Sequence, residues 1–558
     1  MFVKQAAALV AITLLSTGCG SGGESGTSSG GGDGTVSRAG CTLSYANAEA
    51  TALRAGADPL LARQWHLQPI AAQLASTDAI PAWATTGVRG EGARVAVVDD
   101  AVELVHEDLW PNARAVLAQS HDYLGSRLPL PCIESDDHGT AVAGIVAARD
   151  DNTAGGAGVA PRAELVGYNA LATSTDADIA DAMTRGLAAN GVVHNSWGSP
   201  DEGSVNAAPS LWERSIEQGL RSGRGGLGTV YVFSAGNGGA TFVPQQGGGA
   251  ATISENSNLD GYVNKLGINA ICAVGADGRA PRYSEPGANL LVCGPSSGAG
   301  SDGITTTALR NGYRNDFSGT SASAPMASGV AALVLARRPD LSWRDVRLIL
   351  AQSSRETDAA NPSWLPSALP GKRFSHRYGY GVVDASAAMR LAAGWSSVGG
   401  SASLTPCGPF EGRANLPIPP ATGSFENVRD GAPALDTVNV AAAACGITSI
   451  EFVEVAFATD HPYPADLQIR LYSPAGGGAG NGFYSELAQP RSCGSSATGS
   501  RGDPCRTAYR QADGTPWRFG SVRHLGEPAA GAWRLEVIDR QPEDEGRILS
   551  WSLRLWGR

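Results

Sequence analysis

Charged side chains are few. Asp, Glu, Lys and Arg supply 17% of the 558 residues, which excludes a coiled coil or a charged tail as the organising feature. Positive charge is the scarcer sign. The 42 Lys and Arg against 53 Asp and Glu leave a net charge of −11, unfavourable for nucleic acid and permissive for basic ligands. No internal repeat marks the chain. The apolar run in MFVKQAAALVAITLLSTGCG is too short to hold the chain across a bilayer.

That same stretch has one Lys, a short apolar run and then small residues, which is the pattern of a secretion signal over residues 1–18. Cys19 is a candidate lipidated cysteine of a bacterial lipoprotein, with ordinary cleavage near the same place as the alternative. Residues 19–40 are rich in Gly and Ser and read as a tether. An exported protein is expected, either held at a bacterial cell envelope or secreted. Nine cysteines suit that compartment, and setting Cys19 aside leaves an even number for disulfides. Local pairing joins Cys272 with Cys293, Cys407 with Cys445 and Cys493 with Cys505, leaving Cys41 for Cys132, although the sequence does not fix the connectivity.

The length allows two or more domains, and 73 Gly with 32 Pro imply many loops. From residue 80 to about 390, apolar strands alternate with Ala-rich helical stretches. ARVAVVDD, AELVGYNAL, VVHNSWG, TVYVFSAGN, INAICAVGA and ANLLVCGP read as strands. HGTAVAGIVAAR, DADIADAMTRGLAAN and ASAPMASGVAALVLARR read as helices. This alternation predicts a parallel sheet with helices on both faces, and function at the carboxyl ends of its strands. From about 436 the period changes to two, in IEFVEVAFAT, DLQIRLYSP, WRLEVIDR and ILSWSLRLWGR, which predicts an antiparallel sandwich. Residues 396–435 read as a connection.

Small side chains crowd FSGTSASAPMASG around Ser321. A serine nucleophile needs a base within hydrogen-bond reach and an acid behind that base. VAVVDD ends a strand in Asp99 and Asp100, and DDHGTAVAG opens a helix with His138. In this reading His138 takes the Ser321 proton and returns it to the leaving amine, while Asp99 fixes the tautomer and stabilises the cation. Asn237 in FSAGNGG is the expected side-chain donor to the oxyanion, beside the N-terminus of the helix that carries Ser321.

These segments, with NSWGSPDEG, LDGY, RYSEPG and LSWRDVRLIL, resemble the subtilisin-like serine peptidases of the kexin and furin (proprotein convertase) type. The resemblance runs from about Asp58 to Trp395, and the C-terminal part is similar to the P domain of that group. It implies a subtilisin-like α/β domain over 41–398 and a jelly-roll-like P domain over 399–558 that includes its 399–435 lead-in. It implies an endopeptidase with Asp99, His138 and Ser321 as triad and Asn237 as oxyanion donor, Ser323 being a helix residue. Peptide substrate would add as a strand beside Ser196, Trp197 and Gly198.

Asp201 and Asp260 match positions lining the pocket for the residue before the cut bond, and Asp100 matches an acid that meets the next residue upstream. Carboxylates there would select Arg or Lys. The resemblance also implies two or more calcium ions, one at Asp58, Asp108 and Asn152, another at Asp201, Glu255 and Glu285. The expected partners are proteins or peptides with basic residues; because no prodomain is expected before residue 58, folding is expected to rely either on an external chaperone or on the calcium sites and disulfides. The chain is expected to be a monomer. The alternatives are a broad-specificity degradative subtilase and, suggested by Arg-Gly-Asp at 501–503, a surface adhesin or pseudoprotease.

Overall fold

A computed structural model describes residues 35–37, 41–46, 55–68, 75–125, 128–201, 203–244, 250–298, 303–424, 427–476, 483–491, 506, 508–511, 513–542 and 544–558. Cys19 and the proposed signal, the Cys493–Cys505 pair and the Arg-Gly-Asp motif lie outside them. The other three expected disulfides, Cys41–Cys132, Cys272–Cys293 and Cys407–Cys445, are formed. Among the described residues no helix is long and apolar enough to cross a membrane.

The first half is built on a six-stranded parallel sheet. Its strands are β1 (Arg94–Val98), β2 (Glu164–Tyr168), β3 (Val192–Asn195), β4 (Val230–Ser234), β5 (Ile268–Val274) and β6 (Leu290–Pro295). Apart from a half-buried first residue in β1 and β2, all are buried throughout, as continuous apolar runs in a sheet covered on both faces must be. The order is β2-β1-β3-β4-β5-β6. The direction in which successive strands are added therefore reverses between β1 and β3, opening a crevice at their carboxyl ends.

Helix α1 (His138–Ala147) and the later α4 (Thr320–Arg337) pack against the sheet. Between them in sequence come α2 (Asp176–Thr184) and α3 (Ser210–Ser222). The sequence pattern extended α2 to residue 190, but Arg185 already has extended backbone and the helix stops at Thr184. The hairpin β7 (Ile304–Ala308) and β8 (Gly312–Phe317) lies on α1, with Thr306 and Thr307 hydroxyls donating to the carbonyls of Ala141 and Thr140.

The second half has a five-stranded and a four-stranded antiparallel sheet. The first holds β9 (Thr405–Glu411), β10 (Leu416–Ile418), β12 (Ile450–Thr459), β15 (Trp517–Ser521) and β17 (Gly546–Gly557). The second holds β11 (Ala434–Val440), β13 (Leu467–Tyr472), β14 (Tyr484–Ala488) and β16 (Gly531–Asp539). Strands β9 and β10 fall where the sequence read only a connection. They are mostly exposed edge pieces containing Pro406, Pro409 and Pro417, so neither alternation nor propensity announces them. Their pairing with β17 makes them strands.

The halves share their cores. Phe452, Val522 and Leu525 of the sandwich sit in the first half's apolar cluster, and Val205, Leu259 and Ala288 sit in the sandwich's. A buried ion pair crosses the junction: Arg344, on α5 (Trp343–Ser353), donates from Nε to Glu451 Oε2 on β12 at 2.8 Å.

Candidate active site

Asp99 follows directly on β1 and is 1% exposed. Asp100 follows, half-buried, and its carboxylate accepts the backbone N–H groups of His138 at 3.1 Å and Gly139 at 2.9 Å. These are orphan donors of the first turn of α1, so Asp100 caps that helix and sets where His138 begins. Gly139 is required by the close approach, because a Cβ there would lie 2.2 Å from the Ala101 carbonyl oxygen and 2.7 Å from Asp99 Cβ. The outcome is a 2.9 Å hydrogen bond from His138 Nδ1 to Asp99 Oδ1.

A carboxylate only accepts, so Nδ1 carries the proton and Nε2 is left as a base. Burial pulls the His138 pKa down, but the Asp99 charge and hydrogen bond outweigh it and hold the imidazole above the ordinary histidine range. Phe317 of β8 covers the ring at 5.4 Å between centroids.

Ser321 lies in the first turn of α4, after Gly319 in the left-handed region at φ 82°. Asn237 lies beyond the end of β4. Its Oδ1 accepts from Thr320 N at 2.8 Å and from Thr320 Oγ1 at 3.0 Å. That ties the acceptor end of the amide to the start of α4 and turns its donor end, Nδ2, away from Thr320. Ser321 Oγ donates to the Ser196 carbonyl at 3.2 Å, and no hydrogen bond joins it to His138 among the described residues. Asp99 and His138 are thus joined while His138 and Ser321 are not, and contacts of this kind commonly tighten only when substrate binds. Ser323 is fully buried and donates to the Thr320 carbonyl, as a helix residue should.

Residues 196–198 continue the line of β3 past its last ladder pair and make no backbone–backbone hydrogen bond among the described residues. Trp197 anchors them, with Nε1 donating to the Val98 carbonyl at 3.0 Å and its ring edge-on to Phe233 and Tyr262. This is an unpaired edge that an extended peptide can join. Asp260 lies beneath it. One of its oxygens takes Ser199 N at 2.9 Å, the other Ser199 Oγ at 3.0 Å and Tyr262 N at 2.8 Å. Burial lifts its pKa to about 6.

Asp201, Glu255 and Glu285 converge so closely that one oxygen from each lies within 4.8 Å of the others. Gly203 N donates to Glu255, Gly238 N to Glu285 and Asn237 N to Asp201. These donors leave three acids facing one another. Burial first, then Asp201 and Glu255, raise Glu285 well above the carboxylate range, and burial chiefly lifts Glu255 to about 8. Such an all-oxygen set suits a hard cation. Asp201 ties this cluster to Asn237 by accepting that residue's backbone N–H.

The other acid group is assembled differently. Asp58 accepts from Asp151 N at 2.9 Å and Asn152 N at 3.0 Å, and Asp108 accepts from Asn152 Nδ2 at 2.7 Å and Gly156 N at 3.3 Å. The three expected residues are together, but Asn152 presents its donor end to Asp108. A cation bound through Asn152 Oδ1 would require that amide to turn over.

One polar side chain at the rim, His194, was not foreseen, and Ser196 was expected only as part of the peptide-binding strand. His194 and Ser196 alternate on β3 and its continuation, and both point to α4, where His194 bonds Ser328 and Ser196 bonds Ser321. A His at period two from a Ser in VVHNS was the available signal.

The subtilase family model matches residues 90–381. The chain belongs to the subtilase family. Residues 450–555 of this subtilase match the proprotein convertase P-domain. It is 32% identical over 508 residues to a dibasic-processing endoprotease of Schizosaccharomyces pombe, covering 90% of this chain and 65% of that one. It is 30% identical to kexin of Saccharomyces cerevisiae, covering 90% and 56%. The chain thus spans somewhat less than two thirds of the curated relatives it matches. Among solved structures it is similar to a serine protease of Aeromonas sobria, with 27% identity, a TM-score of 0.72 and coverage of 90% and 96%. That protease was also solved in complex with a chaperone, at 26% identity and a TM-score of 0.71, covering 90% of this chain and 95% of that one.

Proposed function

We propose that this subtilase is an exported, calcium-dependent serine endopeptidase that cuts after basic residues. The observation that carries the reading is the His138–Asp99 hydrogen bond at the rim where α4 presents Ser321. On substrate binding Ser321 Oγ leaves the Ser196 carbonyl for His138 Nε2. His138 takes the proton as Oγ attacks the scissile carbonyl, and Asp99 balances the imidazolium. The developing oxyanion meets Asn237 Nδ2 and the first N–H groups of α4. His138 then protonates the leaving amine, and a water deprotonated by His138 releases the acyl group from Ser321.

The peptide would lie along Ser196, Trp197 and Gly198 with its side chain before the cut bond directed to Asp260 and Asp201. Calcium held by Asp201, Glu255 and Glu285 would supply the positive charge those acids lack and stiffen the loop that carries Asp201. Asp58 and Asp108 would supply carboxylate oxygens for a second ion. Similarity to dibasic-processing relatives supports a basic residue at the next position too, near Asp100. Export follows the N-terminal sequence pattern, with Cys19 as the anchor point, and the likeness to a protease solved with a chaperone supports a separate folding partner.

A broad-specificity subtilase is the second reading, favoured because Asp260 and Asp100 already bond backbone N–H groups. Turnover of matched peptides with Arg, Lys, Leu or Phe before the cut bond, with and without chelator, separates the two. Basic selectivity with chelator sensitivity supports the first reading, and equal turnover of Arg and Leu peptides defeats it.

A further inference from the structure

An α-helical carbonyl at position i is bonded by the N–H at i+4. For Ser321 that partner is Pro325, inside α4, which has no N–H. The carbonyl next to the nucleophile is therefore left without its helical donor. The structure supplies another: Ser196 Oγ donates to Ser321 O at 3.1 Å.

Having given its proton to Ser321, the Ser196 hydroxyl accepts at its remaining contact, His194 Nε2 at 2.8 Å. His194 therefore carries its proton on Nε2, and its bare Nδ1 accepts from Ser328 Oγ at 2.8 Å. The ring is fully buried, and burial holds its pKa down at about 3, so it stays neutral with one tautomer. Ser328 lies two turns along α4 on the face that carries Ser321. Ser196 thus grips Ser321 twice, its hydroxyl holding the backbone carbonyl and its own carbonyl receiving Oγ–H at 3.2 Å.

We propose that His194 is a positioning residue for the nucleophile: through Ser196 it fixes the Ser321 carbonyl that Pro325 leaves unbonded, while through Ser328 it is clamped to the same helix. His194 touches neither substrate nor reacting atoms. It limits how far the first turn of α4 shifts when the Ser321 hydroxyl swings to His138. The inference rests on the triad reading above.

The test is full kinetics on a basic peptide, with rates normalised to active sites titrated by a serine-directed phosphonate. His194→Ala is expected to lower kcat about 10- to 100-fold with KM within about twofold, a misplacement rather than a binding defect. His194→Gln, which can still present an N–H to Ser196, recovers most of the loss. Pro325→Ala restores a helical N–H to the Ser321 carbonyl, so in that background His194→Ala costs at most about threefold. Should His194→Ala fail to fold, Ser196→Ala makes the same comparison in both backgrounds. A loss of equal size with and without Pro325, or one that disappears on normalisation, overturns the proposal. Ser321→Ala separates the levels: if it stays active, the triad reading falls; if it is dead while His194→Ala matches wild type, only the role of His194 falls.

Discussion

The two halves of the molecule treat buried charge in opposite ways. In the first half acids are gathered against their electrostatic interest. Glu285 and Glu255 are pushed up beside Asp201, Asp108 is lifted to about 8 chiefly by burial, and His138 is held protonatable by Asp99. At the junction with the sandwich, two buried acids meet cations, while buried Arg347 of α5 lies over the Phe452 ring. Arg344 meets Glu451, and Glu527 lies 3.1 Å from His524 Nδ1 and 3.6 Å from Arg523, which together outweigh its burial and keep it below the ordinary glutamate range. The first half gathers acids around the candidate site, and at the junction Glu451 and Glu527 are met by cations. Charge removal should therefore cost activity in one half and stability in the other.

The largest effect expected is from His138→Ala, which should lower kcat by about 10⁴- to 10⁶-fold without lowering the melting temperature, measured by peptide kinetics and thermal scanning. Next, Asn237→Ala should lose about 10²- to 10³-fold in kcat with little change in KM. A comparable loss from KM alone would mean that the amide binds substrate rather than the oxyanion. On the other side of the comparison, Arg344→Ala should destabilise by about 3–5 kcal/mol in urea titration, because it leaves Glu451 buried beside a smaller share of positive charge. Per folded molecule, activity should persist.

The smallest effect concerns the ion. The clustered acids hold protons in the folded chain that they release on unfolding. The folded state therefore binds more protons, and ion-free stability should fall as pH rises from the ordinary carboxylate range through about 8. Calcium at a hundredfold excess over its Kd should return about 2.7 kcal/mol and flatten that slope. Glu285→Gln should remove most of the calcium response and the Glu285 share of the pH slope, leaving the Glu255 share, in thermal scans with calcium or chelator across about pH 5 to 9. A calcium response that survives Glu285→Gln intact would place the ion elsewhere, with Asp58 and Asp108 the first residues to examine.

Much of this arrangement was legible in the chain. Asp99, His138, Asn237 and Ser321 each sit next to a strand end or in the first turn of a helix, and local period is enough to place such positions. What stayed hidden depends on contacts between distant segments. Asp100 was read as a substrate acid, while its visible work is to cap α1, which only the fold can show. The roles of His194 and Ser196 follow from Pro325 on another element, and β9 and β10 are strands only because β17 lies beside them. The donor-end orientation of Asn152 likewise has no signature in residue type.

The central claim is that the imidazole at His138 activates one particular hydroxyl. Treating the folded protein with a fluorophosphonate and mapping the adduct by peptide mass spectrometry tests it most directly. The account predicts a single adduct on Ser321, lost in His138→Ala and retained in Asp201→Asn at saturating reagent. An adduct on another residue, or one on Ser321 that forms as fast without His138, would contradict it.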